Sequence, residues 1–146
     1  MKDSIHKYFQ VGTIHWMSFP PARYDSLESL QLIAQDDFFD AIELSQIKDD
    51  TLRKATKEIL EQSHLKVCYG AQPRLLGPKL NPNAIAEEER VLAEQTLLEA
   101  LDEAEYLGAK GIAFLAGKWE EATKEQAYSQ LIKTTAMCAG GRPKKA

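Results

Sequence analysis

Two hydrophobic rhythms alternate along this chain. Short runs rich in β-branched and aromatic residues, "YFQVGTIHW", "FDAIELSQI", "LKVCYGA" and "KGIAFLAG", have the length and composition of strands. Each is followed by a longer stretch in which apolar residues recur three and four positions apart, the period of an amphipathic helix. The first strand ends in "SFPPARYD", where two prolines stop regular pairing. Asp25, with Glu28 three residues on, forms a capping box ahead of a helix with Leu27, Leu30, Ile33 and Ala34 on its buried stripe. Asp49 or Asp50 caps a second helix carrying Leu52, Ala55, Ile59 and Leu60. The third strand runs into "QPRLLGPKLNPN", a loop long for a strand-to-helix connection and therefore a candidate for function. Asn83 is placed to cap the longest helix, with Glu87 to Glu89 near its positive end and Gly108 as its stop. Thr123 with Gln126 offers a last capping box before a helix reaching about Met137.

Strict alternation predicts four strands and four helices, (βα)4, in a parallel sheet with right-handed crossovers. An open doubly wound sheet and part of a barrel both fit that order. Within "DAIELSQ", Ile42 and Leu44 point one way while Ala41, Glu43 and Ser45 point the other. An apolar face under helices and a partly polar opposite face match a barrel lumen, although a solvent-facing edge would also account for Glu43.

Composition adds mainly exclusions. With 44% hydrophobic and 27% charged residues in 146, the chain has the make-up of one globular domain. A net charge of −4 argues against a broad nucleic-acid or anionic-membrane footprint. The start lacks the apolar core of a secretion signal, and no run approaches the roughly 18 apolar residues of a membrane span, so a cytoplasmic location is expected. Cys68 and Cys138 form no CxxC pair and no metal-ligand spacing with His6, His15 or His64, which predicts reduced, structural thiols. The pattern breaks at Ala139, so residues 1–138 are expected to form the domain and residues 139–146 a basic, disordered tail.

The runs "FFDAIELS" and "LLEALDEAEYLGAKGIAFLAG" are similar to the second-strand and helix-to-fourth-strand segments of the xylose isomerase-like TIM barrels, the sugar phosphate isomerase/epimerase superfamily. The likeness extends over nearly the whole chain up to Met137 and covers the N-terminal half of that barrel. Departures are Ala41 in a place commonly held by Gly, "CYGAQP" where many members carry a His, and "LAGK" in place of a His-Pro-Gly-like turn. The expected fold is therefore α/β, a (βα)4 half of a TIM barrel with parallel strands. A full barrel takes about 250 residues, so the reading frame is expected to be truncated or shifted after Met137.

The resemblance implies an isomerase or epimerase of small sugars or sugar phosphates, moving a proton beside a carbonyl polarised by a divalent metal such as Mn, Mg or Zn. In the family that metal is held mainly from strands five to eight, so the main ligands are absent from this chain and little or no activity is expected of it alone. The family's apurinic endonuclease branch fits poorly with the acidic balance. Barrel chemistry gathers at the C-terminal ends of strands, which makes His15, Trp16, Glu43, Tyr69, Gln72, Arg74 and Lys118 the candidate substrate-binding residues, with no metal ligand among them. His15 titrates near neutrality, Glu43 is an inward carboxylate needing a partner, and Arg74 has the fork that grips phosphate. The alternative reading is a non-catalytic half-barrel that pairs with a second copy, because unpaired sheet edges and a bare inner face are liabilities in water.

Overall fold

The computed structural model describes residues 5–140. Its elements in order are β1 (Gly12–Ile14), α1 (His15–Ser18), α2 (Ser26–Gln35), β2 (Ala41–Leu44), α3 (Asp50–Gln62), β3 (Lys66–Gly70), α4 (Gln72–Leu76), α5 (Glu87–Tyr106), β4 (Ile112–Ala113) and α6 (Lys124–Gly140). The four strands form one parallel sheet in the order β1-β2-β3-β4. That order distinguishes the two architectures. A doubly wound sheet reverses direction at a switch point, whereas strands always added to the same edge by right-handed crossovers carry every connection on one face. The fold is α/β with the topology of a (βα)4 half-barrel.

The described residues pack as two compact units, the first holding residues up to 70 together with 104–112, the second residues 71–103 together with those from 113 onward. In the first unit β1, β2 and β3 are in register, Thr13 beside Ile42 beside Val67, and Ile14 beside Glu43 beside Cys68. Ile42, Leu44, Val67 and Tyr69 on one sheet face are buried and share a core with Leu30, Ile33 and Leu60 of α2 and α3. The other face carries Ala41 and Glu43, half-buried, and Lys66 and Cys68, exposed. The alternation expected of β2 is thus observed residue for residue.

Local signals account for most helix ends. The Asp25 carboxylate accepts from the backbone N–H groups of Leu27 and Glu28 at 2.8 and 2.9 Å, and Asp49 accepts from Leu52 at 2.7 Å, so both caps form as expected. Gly108 takes a φ of 75°, the left-handed stop after α5. Several expected boundaries move. The first strand shrinks to Gly12–Ile14, because the Ile5 carbonyl accepts from Tyr8 and Phe9 and coils that segment into a turn with both rings exposed. The long third loop holds a short helix, α4, started by Pro73 in its first turn.

In the second unit Asn83 does not cap α5. A turn from Asn81 to Ala84 claims that segment and the helix begins at Glu87. Nor does Thr123 cap α6, since its hydroxyl donates back to the Glu120 carbonyl at the 3-10 turn Glu121–Thr123. The fourth strand, read from the run "KGIAFLAG", is only two residues long, lies at the sheet edge and leaves Ala113 exposed. It is held by Lys110 N–H to Val67 and Tyr69 N–H to Gly111 in the first unit, and by Ala71 N–H to Ala113 in the second. Helix α6 continues through Gly140, two residues into the segment expected to be tail, and residues 141–146 lie outside the described part.

Candidate functional site at the ends of the first two strands

Residues leaving a strand of a parallel sheet emerge where crossover loops diverge, and a cleft there is the usual consequence. In the first unit such a cavity, about 230 Å³, opens beyond the C-terminal ends of β1 and β2. Its wall includes His15 and Trp16 from α1, Ser26 from α2, and Leu44, Ser45 and Lys48 at and after the end of β2. The volume falls below the roughly 300–1,000 Å³ common for drug-sized ligands, so the space suits a small polar molecule. Leu44 floors it, while two hydroxyls, an ammonium and an imidazole supply polar contacts.

His15 is the chemically distinctive residue of this wall. It is half-buried, its Nε2 lies 2.8 Å from the Ser29 hydroxyl oxygen on α2, and its ring tilts at 47° against Phe19. Burial lowers its pKa below the ordinary 6.5, because desolvation penalises the imidazolium. At neutral pH the ring is therefore uncharged and able to take a proton. Trp16, 39% exposed, lines the same cavity.

The other candidates are placed elsewhere. Glu43 lies on the opposite, open sheet face between Ile14 and Cys68, away from the cavity lined by its neighbour Leu44. Tyr69 is fully buried on the helix-side face. In the second unit Gln72 opens α4, and the Arg74 guanidinium is 9% exposed, bonded to the buried Glu103 and 3.6 Å from Glu99. Its fork grips two carboxylates of α5, which removes it from solvent as an anion clamp. Lys118 is exposed, and its backbone N–H and carbonyl are clasped by the Asn81 side-chain amide at 3.2 and 3.4 Å. Gly117 beside it has a φ of 103°, and a Cβ there would collide with the Asn81 and Asn83 amide oxygens. That clasp fixes the loop after β4, and no spacing rule pointed to it.

Sequence reading also missed Ser29, which appears only as one more small residue on a helix, and the network around Arg90. In the second unit Arg90 is 5% exposed and bonds Glu94, the Thr134 hydroxyl at 3.0 Å, and both oxygens of Glu87 at 2.9 and 3.2 Å. Gln130 also donates to Glu87, at 3.0 Å, and Thr134 donates to the Pro82 carbonyl at 2.9 Å, so α5, α6 and the preceding loop are tied together. Hydrogen bonds from Arg90 and Gln130 hold the Glu87 carboxyl down at about 2. Glu87, read as a favourable charge at a helix start, is thus also an anchor for Arg90.

Among the described residues no three His, Cys, Asp or Glu side chains gather so that they could hold a metal ion, and the donor set of the divalent metal implied by the family resemblance does not assemble around His15 or Glu43. Cys68 is exposed and Cys138 half-buried, both free, with burial raising the Cys138 thiol. No helix among the described residues is long and apolar enough to cross a membrane. Comparison with known proteins finds no matching family model, no matching curated protein and no matching solved structure.

Proposed function

We propose that this chain is the half-barrel of a cytoplasmic sugar or sugar-phosphate isomerase or epimerase, and that its own share of the work is to bind a small polyhydroxy carbonyl compound at the ends of β1 and β2. The observation that carries this reading is the cavity of about 230 Å³ in which a neutral His15 stands beside Trp16, Ser45 and Lys48. Isomerisation beside a carbonyl needs a base that is unprotonated near neutrality, and burial favours that state of His15. Lys48 is suited to a phosphate or to the charge on an enediolate oxygen, Ser26 and Ser45 to sugar hydroxyls, and the Trp16 ring to an apolar sugar face. Turnover by this chain alone is expected to be weak, because a base and one ammonium supply only part of the carbonyl polarisation such reactions require.

The test is titration of the isotope-labelled protein with ribose 5-phosphate and with xylose, followed residue by residue in NMR spectra. Saturable shifts centred on His15, Trp16, Ser45 and Lys48, and lost in His15→Ala, are expected. Absence of shifts at these residues at millimolar sugar phosphate refutes the assignment.

A second reading is favoured by the other sheet face of the first unit, where Lys66 and Cys68 are exposed and Ala41 and Glu43 only half-buried. On this reading a second copy of the chain covers that face, forming a homodimer without catalysis. Sedimentation of the same samples decides it, since a monomer persisting at tens of micromolar protein excludes a stable pair.

A further inference from the structure

We infer that Ser29 is a positioning residue that fixes the tautomer of His15 and makes Nδ1 the ring's proton acceptor, an inference that rests on the strand-end cavity being a proton-handling site. Ser29 is 2% exposed, and its Oγ sits at the meeting point of three groups. Asp25 O lies 2.7 Å away, Ser26 O 3.3 Å, and His15 Nε2 2.8 Å. A serine hydroxyl has a single proton, and backbone carbonyls can only accept. The 2.7 Å approach to Asp25 O therefore commits the proton there. Turned instead toward His15, it would leave two oxygens face to face without a hydrogen in a site closed to water. The remaining role of Oγ is to accept, so Nε2 must carry a hydrogen and donate it.

A neutral imidazole holds one N–H, and with Nε2 protonated the lone pair belongs to Nδ1. Nδ1 has no hydrogen-bond partner among the described residues. The arrangement has the logic of a base oriented by a third group, with a hydroxyl and the carbonyl of the N-cap residue Asp25 in place of a carboxylate. When a substrate C–H or O–H bond breaks, its proton forms the Nδ1–H bond and the electron pair stays on the substrate. The imidazolium then keeps Nε2–H on Ser29, so nothing in the ring has to rearrange. Ser29 can still accept, and its own proton stays on Asp25 O throughout. The sequence hides this pair, since His15 and Ser29 are fourteen positions apart on different elements.

Two-bond proton–nitrogen correlation spectra of His15 in the intact, ligand-free chain test the inference. The wild-type ring is expected to show Nε2–H alone. Ser29→Ala should release it to a mixture of tautomers, and Ser29→Thr, which keeps the hydroxyl, should restore the single form. A wild-type ring protonated at Nδ1, or a ring unchanged in Ser29→Ala, overturns the inference. The wild-type spectrum is informative even if a variant folds poorly. Because the tautomer is read without ligand, failure of the cavity to bind a sugar phosphate is told apart from failure of Ser29 to set the ring.

Discussion

Replacing Arg90 by methionine removes the cation at the centre of the second unit's polar network while keeping much of its apolar stem. Arg90 is 5% exposed and Glu94 9%, so both partners of that ion pair are withdrawn from water. Breaking a buried pair by deleting one member costs about 3–5 kcal/mol, because the surviving charge is stranded. Thr134 keeps the Pro82 carbonyl as acceptor, so loss of the Arg90 donor to its oxygen adds about 1 kcal/mol at most. Glu87, with its side chain 56% exposed, is screened by water and adds no separate term. The expected loss is thus about 3–5 kcal/mol, dominated by Glu94. In the double variant Arg90→Met with Glu94→Met no charge is left behind, and stability should return to within about 2 kcal/mol of the parent. Urea titrations of the four proteins close the cycle, with a coupling of at least about 2 kcal/mol between the two sites expected. An Arg90→Met loss under about 1 kcal/mol, or a double variant as unstable as the sum of the singles, would refute the account of a buried, mutually dependent pair.

Two pH dependences follow with defined signs. His15 has a folded pKa below the ordinary 6.5, so its contribution is fully present above pH 6.5 and is lost as pH falls from there through the lower folded value. His15→Gln should flatten the stability profile in that window, and a slope unchanged in the variant contradicts the assignment. Glu87, held at about 2 against an ordinary 4.5, stabilises above pH 4.5 and loses its contribution as pH falls toward 2. Glu87→Gln should remove that acid limb, and added salt should weaken it in the parent because the carboxylate is exposed. Thermal melts across pH 2 to 8 on the order of one-unit steps read both effects in one experiment.

What could be read along the chain was the part governed by neighbours within a few positions. The Asp25 and Asp49 caps, the Gly108 stop and the opposed faces of Ile42 and Glu43 depend on helix and strand periods, and these are written locally. The boundary at Asn83 was misread for a related reason. An Asn before a helical pattern is a good cap, but the competing Asn81–Ala84 turn left it buried ahead of the helix instead.

The site was legible only in part. His15 and Trp16 followed from the rule that strand ends carry chemistry, and the cavity is indeed there. Arg74 looked able to bind an anion until the fold set Glu103 and Glu99 against it, and Tyr69 stood among the strand-end candidates until the fold buried it.

By itself, then, the sequence determined the alternation of strands and helices, the Asp25 and Asp49 caps and the opposed faces of Ile42 and Glu43. Tertiary structure alone decided the one-directional strand order, the Ser29 hydroxyl behind His15 and the Arg90–Thr134 bond across 44 positions. The reason is one of range. A cap or a pleat answers to forces acting over a few residues, whereas a side chain's partner is chosen by which distant segment the packed core brings within about 3 Å.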